Sequence, residues 1–233
     1  MHNEAENALA LAAEIAGVLD GLLEYEIVFV DDGSTDATAE RLREAARRSA
    51  RVRVVRHRQQ AGQSTAIRTG VARARAPWIA TLDGDGQNDP ADLRTLLAAR
   101  DAPGRPARLE LVIGDRRAAR RDTWVRRMSS WVANTVRAAL LRDRTPDVGC
   151  GLKLFARDAF LDLPYFDHMH RFLPALFQRR GGVVVSVPVG HRPRWAGRSH
   201  YGVHNRLWAG LVDLCGVAWL RRRGRTPEID ASD

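Results

Sequence analysis

The chain has 233 residues, 45% of them hydrophobic, enough for the core of one domain with a decorated end. Its two cysteines, Cys150 and Cys215, are isolated, which excludes a disulfide framework and a Cys-x-x-Cys pair and points to a reduced, cytoplasmic setting. The formal charge of +9 comes almost wholly from arginine, Lys153 being the single lysine, and favours polyanions: phosphorylated substrates, an anionic membrane or nucleic acid.

Met1-His2-Asn3-Glu4 has neither the basic start nor the apolar run of a secretory leader. No stretch reaches the ~18 apolar residues of a spanning helix, so a soluble or peripheral protein is expected. The spacing of Leu9, Ala12, Ile15, Ala16 and Leu19 predicts an amphipathic helix over 4–23. A strand at 26–30 follows, then a helix from Asp36 to about Ser49 capped by Ser34, Thr35 or Asp36. Residues 52–56 form a strand, Gly62 opens a helix through about Ala74, and Pro77 precedes a strand at 78–82. Asp89-Pro90 starts a helix to about Arg100, and 109–113 is a strand. This alternation predicts an α/β doubly wound, mostly parallel sheet with its ligand edge at the strand C-termini. Such a domain opens on a strand, whereas this chain opens on the loop before its first helix. A central strand is therefore expected to be lacking, leaving its neighbours with unpaired edges.

Beyond Arg116 a helix is predicted over 122–141, with Trp124, Met128 and Trp131 on one stripe and arginines on its borders. That stripe suits either core packing or a membrane interface. Residues 168–179 read as helical, 183–187 as a strand, and 205–220 as an amphipathic helix carrying Trp208, Leu211, Val212, Cys215 and Trp219. The division expected is a domain over 1–203 and a C-terminal helix with a basic tail over 204–233.

Two strand ends carry the chemistry. Residues 79–82 run into Asp83-Gly84-Asp85, two hard oxygen donors where open α/β sheets bind ligands. They suit Mg²⁺ or Mn²⁺ holding a diphosphate, although Asp-Gly is also a common turn dipeptide. The repeat of this grammar at Val30-Asp31-Asp32-Gly33-Ser34 favours the site over the turn.

These residues resemble glycosyltransferase family 2, in the branch of dolichyl-phosphate mannose synthases and bacterial undecaprenyl-phosphate glycosyltransferases. The resemblance rests on His2-Asn3-Glu4, Val30 to Asp36, Asp83 to Pro90, Gly114-Asp115-Arg116, Arg126…Ser130…Asn134, Asp147 to Gly151, and His191 to Tyr201. It implies a GT-A fold and an inverting transfer of one sugar from a nucleotide sugar (GDP-mannose or a UDP-sugar) to a polyprenyl phosphate. Glu4, Asp31 and Asp32 would contact the nucleotide; Asp83, Asp85 and Gln87 would hold Mg²⁺ or Mn²⁺ and the diphosphate. Arg116, Arg126, Ser130 and Arg194 would meet phosphates, with Ser199 in the same binding set. Asp85, Arg194 and Asp147 form the catalytic set, Asp147 being the carboxylate placed to act as base or orienting group. Two positions depart from the wider family: His191 begins a His-x-x-Arg-Trp stretch where processive members have Gln, and His200 stands where Lys is usual.

A lipid phosphate acceptor implies work on an anionic membrane surface, peripheral on the inner face. The arginines at 221, 222, 223 and 225 would strengthen that contact. A degenerate, inactive relative and a basic nucleic-acid-binding protein are the alternatives. The second rests on charge alone, and no nucleic-acid motif accompanies it.

Overall fold

The protein is seen in a computed structural model that describes residues 1–119, 137–143, 145–194 and 204–223, with side chains from 210 onward in the last stretch. Helix α1 (Ala5–Leu19) buries Ala8, Leu11, Ile15 and Leu19, one stripe at helical spacing. Strand β1 (Ile27–Asp31) is buried at four of five positions, as its unbroken apolar run requires. Helix α2 (Thr38–Arg48) follows, its first turn tied by Asp36, whose Oδ1 accepts from the Thr38 N–H at 2.9 Å. Strand β2 (Val52–Arg56) pairs in parallel with β1, Ile27 opposite Val52 and Asp31 opposite Arg56.

Helix α3 (Gln63–Arg73) leads to β3 (Trp78–Thr81), and a short 3-10 turn with Pro90 leads to α4 (Leu93–Asp101) and β4 (Leu109–Asp115). Residues 137–141 are helical (α5). Then come β5 (Lys153–Ala156), α6 (Arg157–Leu161), α7 (Leu173–Arg179), β6 (Val183–Pro188) and α8 (His204–Arg223).

Six strands form two sheets among the described residues: β1-β2, and β3-β5-β4-β6. Strand β5 runs antiparallel to both neighbours, while β4 and β6 are parallel. The α/β architecture is as expected, but the larger sheet is mixed. Its antiparallel member was not predicted because β5 has only four residues and buries three in a row, so no alternation marks it. The predicted helix at 168–179 is a 3-10 turn (Met169–Arg171) followed by α7, restarted at Pro174. Most of the predicted helix at 122–141 lies outside the described residues.

The core centres on β4, whose Leu111, Val112 and Ile113 have no exposed surface, and on Phe155, stacked on Phe160 at 4.8 Å. Helix α8 packs Leu214, Val217 and Ala218 inward and turns Leu211, Val212 and Trp219 outward, at 49%, 55% and 59% exposure. Asp213 lies between these faces and pairs with His168 at 3.2 Å. No described helix is long and apolar enough to cross a membrane.

Candidate active site

The two acidic strand ends are built differently. Asp32 lines the cavity between the sheets, yet its carboxylate is fully engaged. Oδ1 accepts from His57 Nδ1 at 2.7 Å and the Ala61 N–H at 2.9 Å, and Oδ2 from the Gly62 N–H at 2.9 Å. Asp32 thus fixes the loop at 57–62 against the end of β1. Gly33 permits this, since its φ is +66° and a Cβ there would stand 2.5 Å from the Gln59 backbone. The N-terminal residues close on the same turn: Asn3 Oδ1 accepts from the Thr35 N–H at 3.0 Å, and His2 Nδ1 donates to the Asp32 carbonyl at 2.8 Å.

Asp31, expected beside Asp32, does not line the cavity. It has no exposed surface, accepts from the Ser34 N–H at 3.0 Å and lies 3.0 Å from Arg56 Nε, so its side chain braces the turn after β1. At a strand end, neighbouring side chains point to opposite sides, and Asp32 alone faces the cavity.

The end of β3 delivers Asp83, Asp85 and Gln87 to that cavity. Asp83 Oδ1 accepts from Gln63 Nε2 at 3.0 Å, and its backbone N–H donates to Asn88 Oδ1 at 3.0 Å. Burial pushes the Asp83 carboxyl above the usual carboxylate range, and the charge of Asp85 adds to this; Lys153 and Arg116 oppose it only in part. Asp85 is 9% exposed and accepts from the Gln87 N–H at 3.1 Å and from Arg194 Nη2 at 2.9 Å. The other amino group of Arg194 donates to Glu4 Oε1 at 3.0 Å. Burial raises the Glu4 carboxyl too, against its hydrogen bond from Asn7 and the charge of Arg194. One guanidinium therefore joins the start of α1 to the end of β3.

Arg116 and Asp147 form a separate buried pair. Nε and Nη2 of Arg116 donate to the two Asp147 oxygens at 2.8 and 3.1 Å, and the Arg116 N–H adds a third bond at 3.2 Å. Burial alone would lower the Arg116 pKa, but the bonds and charge of Asp147 hold it above the ordinary value. Neither side chain lines the cavity, whereas Val148, Gly149 and Gly151 beside them do. Gly151 allows the closest approach: a Cβ there would stand 2.0 Å from Asp83 Oδ2. Arg126, Ser130 and Ser199 lie outside the described residues.

Sequence reasoning passed over Gln63, Asn88 and Lys153. Lys153 is 5% exposed; burial lowers its pKa, while Asp83 draws it upward, and its Nζ donates to the Cys150 carbonyl. Its status as the single lysine among so many arginines was the available signal.

Among the described residues no three His, Cys, Asp or Glu side chains gather to hold a metal by themselves. Asp83 and Asp85 nonetheless fit a hard divalent cation that takes one or two carboxylates and completes its shell with phosphates and water. Their mutual repulsion in a buried setting is what such a cation relieves. The carboxylates, Glu4 and Arg194 line one end of a cavity of about 1040 Å³.

The family described as Glycosyl transferase family 2 matches residues 1–163. Dodecaprenyl-phosphate galacturonate synthase of Rhizobium johnstonii is 32% identical over 87% of the chain and 60% of its own length. Undecaprenyl-phosphate 4-deoxy-4-formamido-L-arabinose transferase of Edwardsiella ictaluri is 32% identical over 87% of the chain and 61% of its own length. The chain thus spans about three-fifths of these curated relatives. Among solved structures, glucosyl-3-phosphoglycerate synthase of Mycobacterium tuberculosis, in complex with Mn²⁺, UDP-glucose and phosphoglyceric acid, superposes with a TM-score of 0.71. That match has 21% identity and covers 98% of this chain and 78% of that one.

Proposed function

The chain belongs to glycosyltransferase family 2 and has the GT-A fold, and on that premise we propose that it transfers one sugar, with inversion, from a nucleotide sugar to a polyprenyl phosphate at a membrane surface. One observation carries the reading: two carboxylates at the end of β3 share a cavity with Glu4 and the guanidinium of Arg194. That set suits a nucleoside diphosphate. The prenyl phosphates named in two relatives support the acceptor class, and the Mn²⁺ and UDP-glucose of the solved neighbour support the donor class and the metal.

In this reading an acceptor phosphate oxygen bonds to the anomeric carbon as the bond from that carbon to the diphosphate breaks. The barrier lies in the charge that builds on the leaving diphosphate. Asp83 and Asp85 would hold a divalent cation, which when bound supplies charge neutralisation at the diphosphate. Arg194 offers a planar, permanently charged fork to phosphate oxygens, held in place beforehand by Glu4 and Asp85. Asp32 keeps the loop at 57–62 closed beside the nucleotide end, and His2 and Asn3 brace the same turn. A phosphate monoester has its second pKa near ~6 and is already largely anionic at neutral pH, so no dedicated base is required. Asp147 then serves to hold Arg116 in place, close enough to Asp83 for its charge to be felt there.

The outward stripe of α8, ending in Arg221, Arg222 and Arg223, supports a peripheral seat on the inner face of the cell membrane, with residues 204–233 as the membrane-facing segment. Much of the described positive charge is engaged internally, as in the pairs of Arg53, Arg116, Arg137 and Arg180, which gives nucleic acid little purchase.

The test is transfer from a panel of GDP- and UDP-sugars to undecaprenyl phosphate, with Mn²⁺ or Mg²⁺. Product is expected with one donor class and is lost on chelation and in Asp85→Ala. Full activity of Asp85→Ala would overturn the metal assignment. Donor binding without turnover would favour the second reading, an inactive relative.

A further inference from the structure

His57 stands one residue beyond β2, where its backbone N–H donates to Asp31 O at 2.9 Å and continues the pairing with β1. From there the side chain reaches the next residue of the neighbouring strand end, Nδ1 meeting Asp32 Oδ1 at 2.7 Å. A carboxylate only accepts, so Nδ1 carries the proton, and Nε2 is left for the Thr69 hydroxyl, 2.9 Å away on α3. Thr69 comes within reach because α3 packs closely on β1 at Gly70, where a Cβ would stand 3.3 Å from Val30 Cγ2. The imidazole thus bridges the end of β1 to the middle of α3, with 16% of its side chain exposed. Packing alone would ask only for volume at this position. Here both ring nitrogens are matched to groups on different elements.

The bridge matters because of what Asp32 holds. Its two oxygens accept from the Ala61 and Gly62 N–H groups, both at 2.9 Å, and these residues lead directly into Gln63, which donates to Asp83 Oδ1 at 3.0 Å. Gln60, Gly62 and Gln63 line the cavity together with Asp32 and Asp83, whereas His57 and Thr69 do not. His57 therefore stands behind the wall that a donor would meet. The last torsion of an aspartate side chain is a broad, soft rotor. Without the imidazole the Asp32 carboxylate can turn out of the plane in which it meets both backbone N–H groups.

We infer that His57 is a positioning residue for nucleotide binding: it fixes the plane of the Asp32 carboxylate, and so the closure of the loop at 57–62 on the donor's nucleotide. This role rests on the donor being a nucleotide sugar. His57 touches no reacting atom, so its effect belongs in donor KM rather than in kcat. A wall held in place before the ligand arrives has less ordering left to do on binding.

Two replacements separate the two nitrogens, because the side-chain amide of Asn stands about where Nδ1 does and that of Gln about where Nε2 does. Binding of UDP and of GDP with Mn²⁺ is measured by titration calorimetry for the unaltered chain, His57→Asn and His57→Gln, with hydrogen exchange on the ligand-free proteins. His57→Gln is expected to bind nucleotide about tenfold more weakly, the scale of one hydrogen bond to a charged group. Its Ala61 and Gly62 amides should exchange about tenfold faster, as local opening becomes easier. His57→Asn keeps the bond to Asp32 and should stay within about threefold of the unaltered chain in both readouts. Thr69→Val removes the outer bond and should give an intermediate loss in both, which decides the matter where His57→Gln folds poorly. Equal weakening by Asn and Gln, or Ala61 and Gly62 amides that exchange alike in every variant, would overturn the role of His57. Failure of the unaltered chain to bind either nucleotide would overturn the nucleotide-sugar reading and this role with it, an outcome distinct from binding that His57→Gln leaves unchanged.

Discussion

Arg194 Nη2 reaches Asp85 Oδ2 across 2.9 Å. The same guanidinium holds Glu4, so removing it unties two walls of the site at once. Arg194→Ala is expected to lower kcat by roughly 10²–10³-fold, the usual effect of deleting one donor that meets developing charge. Arg194→Lys should recover little, because an ammonium cannot bridge two oxygen sites in one plane. Steady-state kinetics at saturating donor, with circular dichroism as the control for folding, checks both.

The Arg116–Asp147 pair answers to stability rather than to turnover alone. Both side chains are under 9% exposed, so Asp147→Asn should cost about 3–5 kcal/mol, the range for stranding one member of a buried ion pair. The double replacement Arg116→Met/Asp147→Leu should regain much of that loss while leaving transfer impaired. Urea unfolding of the two variants measures the contrast.

Gly151 can be tested by a single methyl group. Gly151→Ala would drive a Cβ into Asp83 Oδ2 and to 2.8 Å from Asn88 Oδ1, so Asp83 must move. Displacing a reacting group by about 1 Å can lower the rate roughly 10²-fold. A fall in kcat/KM with near-normal thermal stability is expected, together with weaker Mn²⁺-dependent stabilisation by donor.

Acid sensitivity is expected to involve Glu26. Burial alone would raise its pKa, but the Arg75 N–H and the guanidinium groups of Arg53 and Arg75 hold it below the ordinary 4.5. A depressed folded-state value gives stability that is present above pH 4.5 and is lost as pH falls through the folded value. Glu26→Gln should flatten the acid limb of a stability-versus-pH curve below that point. High salt should shrink the difference, because Arg75 is largely exposed.

Membrane contact should follow the outward face of α8. Trp219 fluorescence is expected to shift to the blue on vesicles containing anionic lipid and to stay unchanged on neutral ones. Trp219→Ser and the triple change of Arg221, Arg222 and Arg223 to Gln should each weaken vesicle sedimentation, the second in a salt-dependent way.

The acidic strand ends were legible because chemistry and secondary structure coincide there: an apolar run stops, and carboxylates begin. Periodicity also marked the stripe of α8, whose Leu211, Val212, Cys215 and Trp219 do face outward. What stayed hidden depends on distant parts of the chain meeting. Asp31 and Asp32 look equivalent in sequence, and only the direction of the last residues of β1 makes one structural and the other part of the cavity. Strand β5 could not be read from four residues buried by their neighbours rather than patterned by their own order. Lys153 and Gln63 come to Asp83 from other elements, so no local motif announces them.

The clasp between Arg116 and Asp147 has a mechanical consequence. The chain leaves β4 at one member of the pair and returns to β5 just past the other, and the Gly114 N–H bonds Leu152 O at 3.0 Å immediately inside. The two strand ends are thus locked to each other at that point. Loss of the pair would therefore loosen the ends of β4 and β5 together, at the place where Gly151 sits against Asp83.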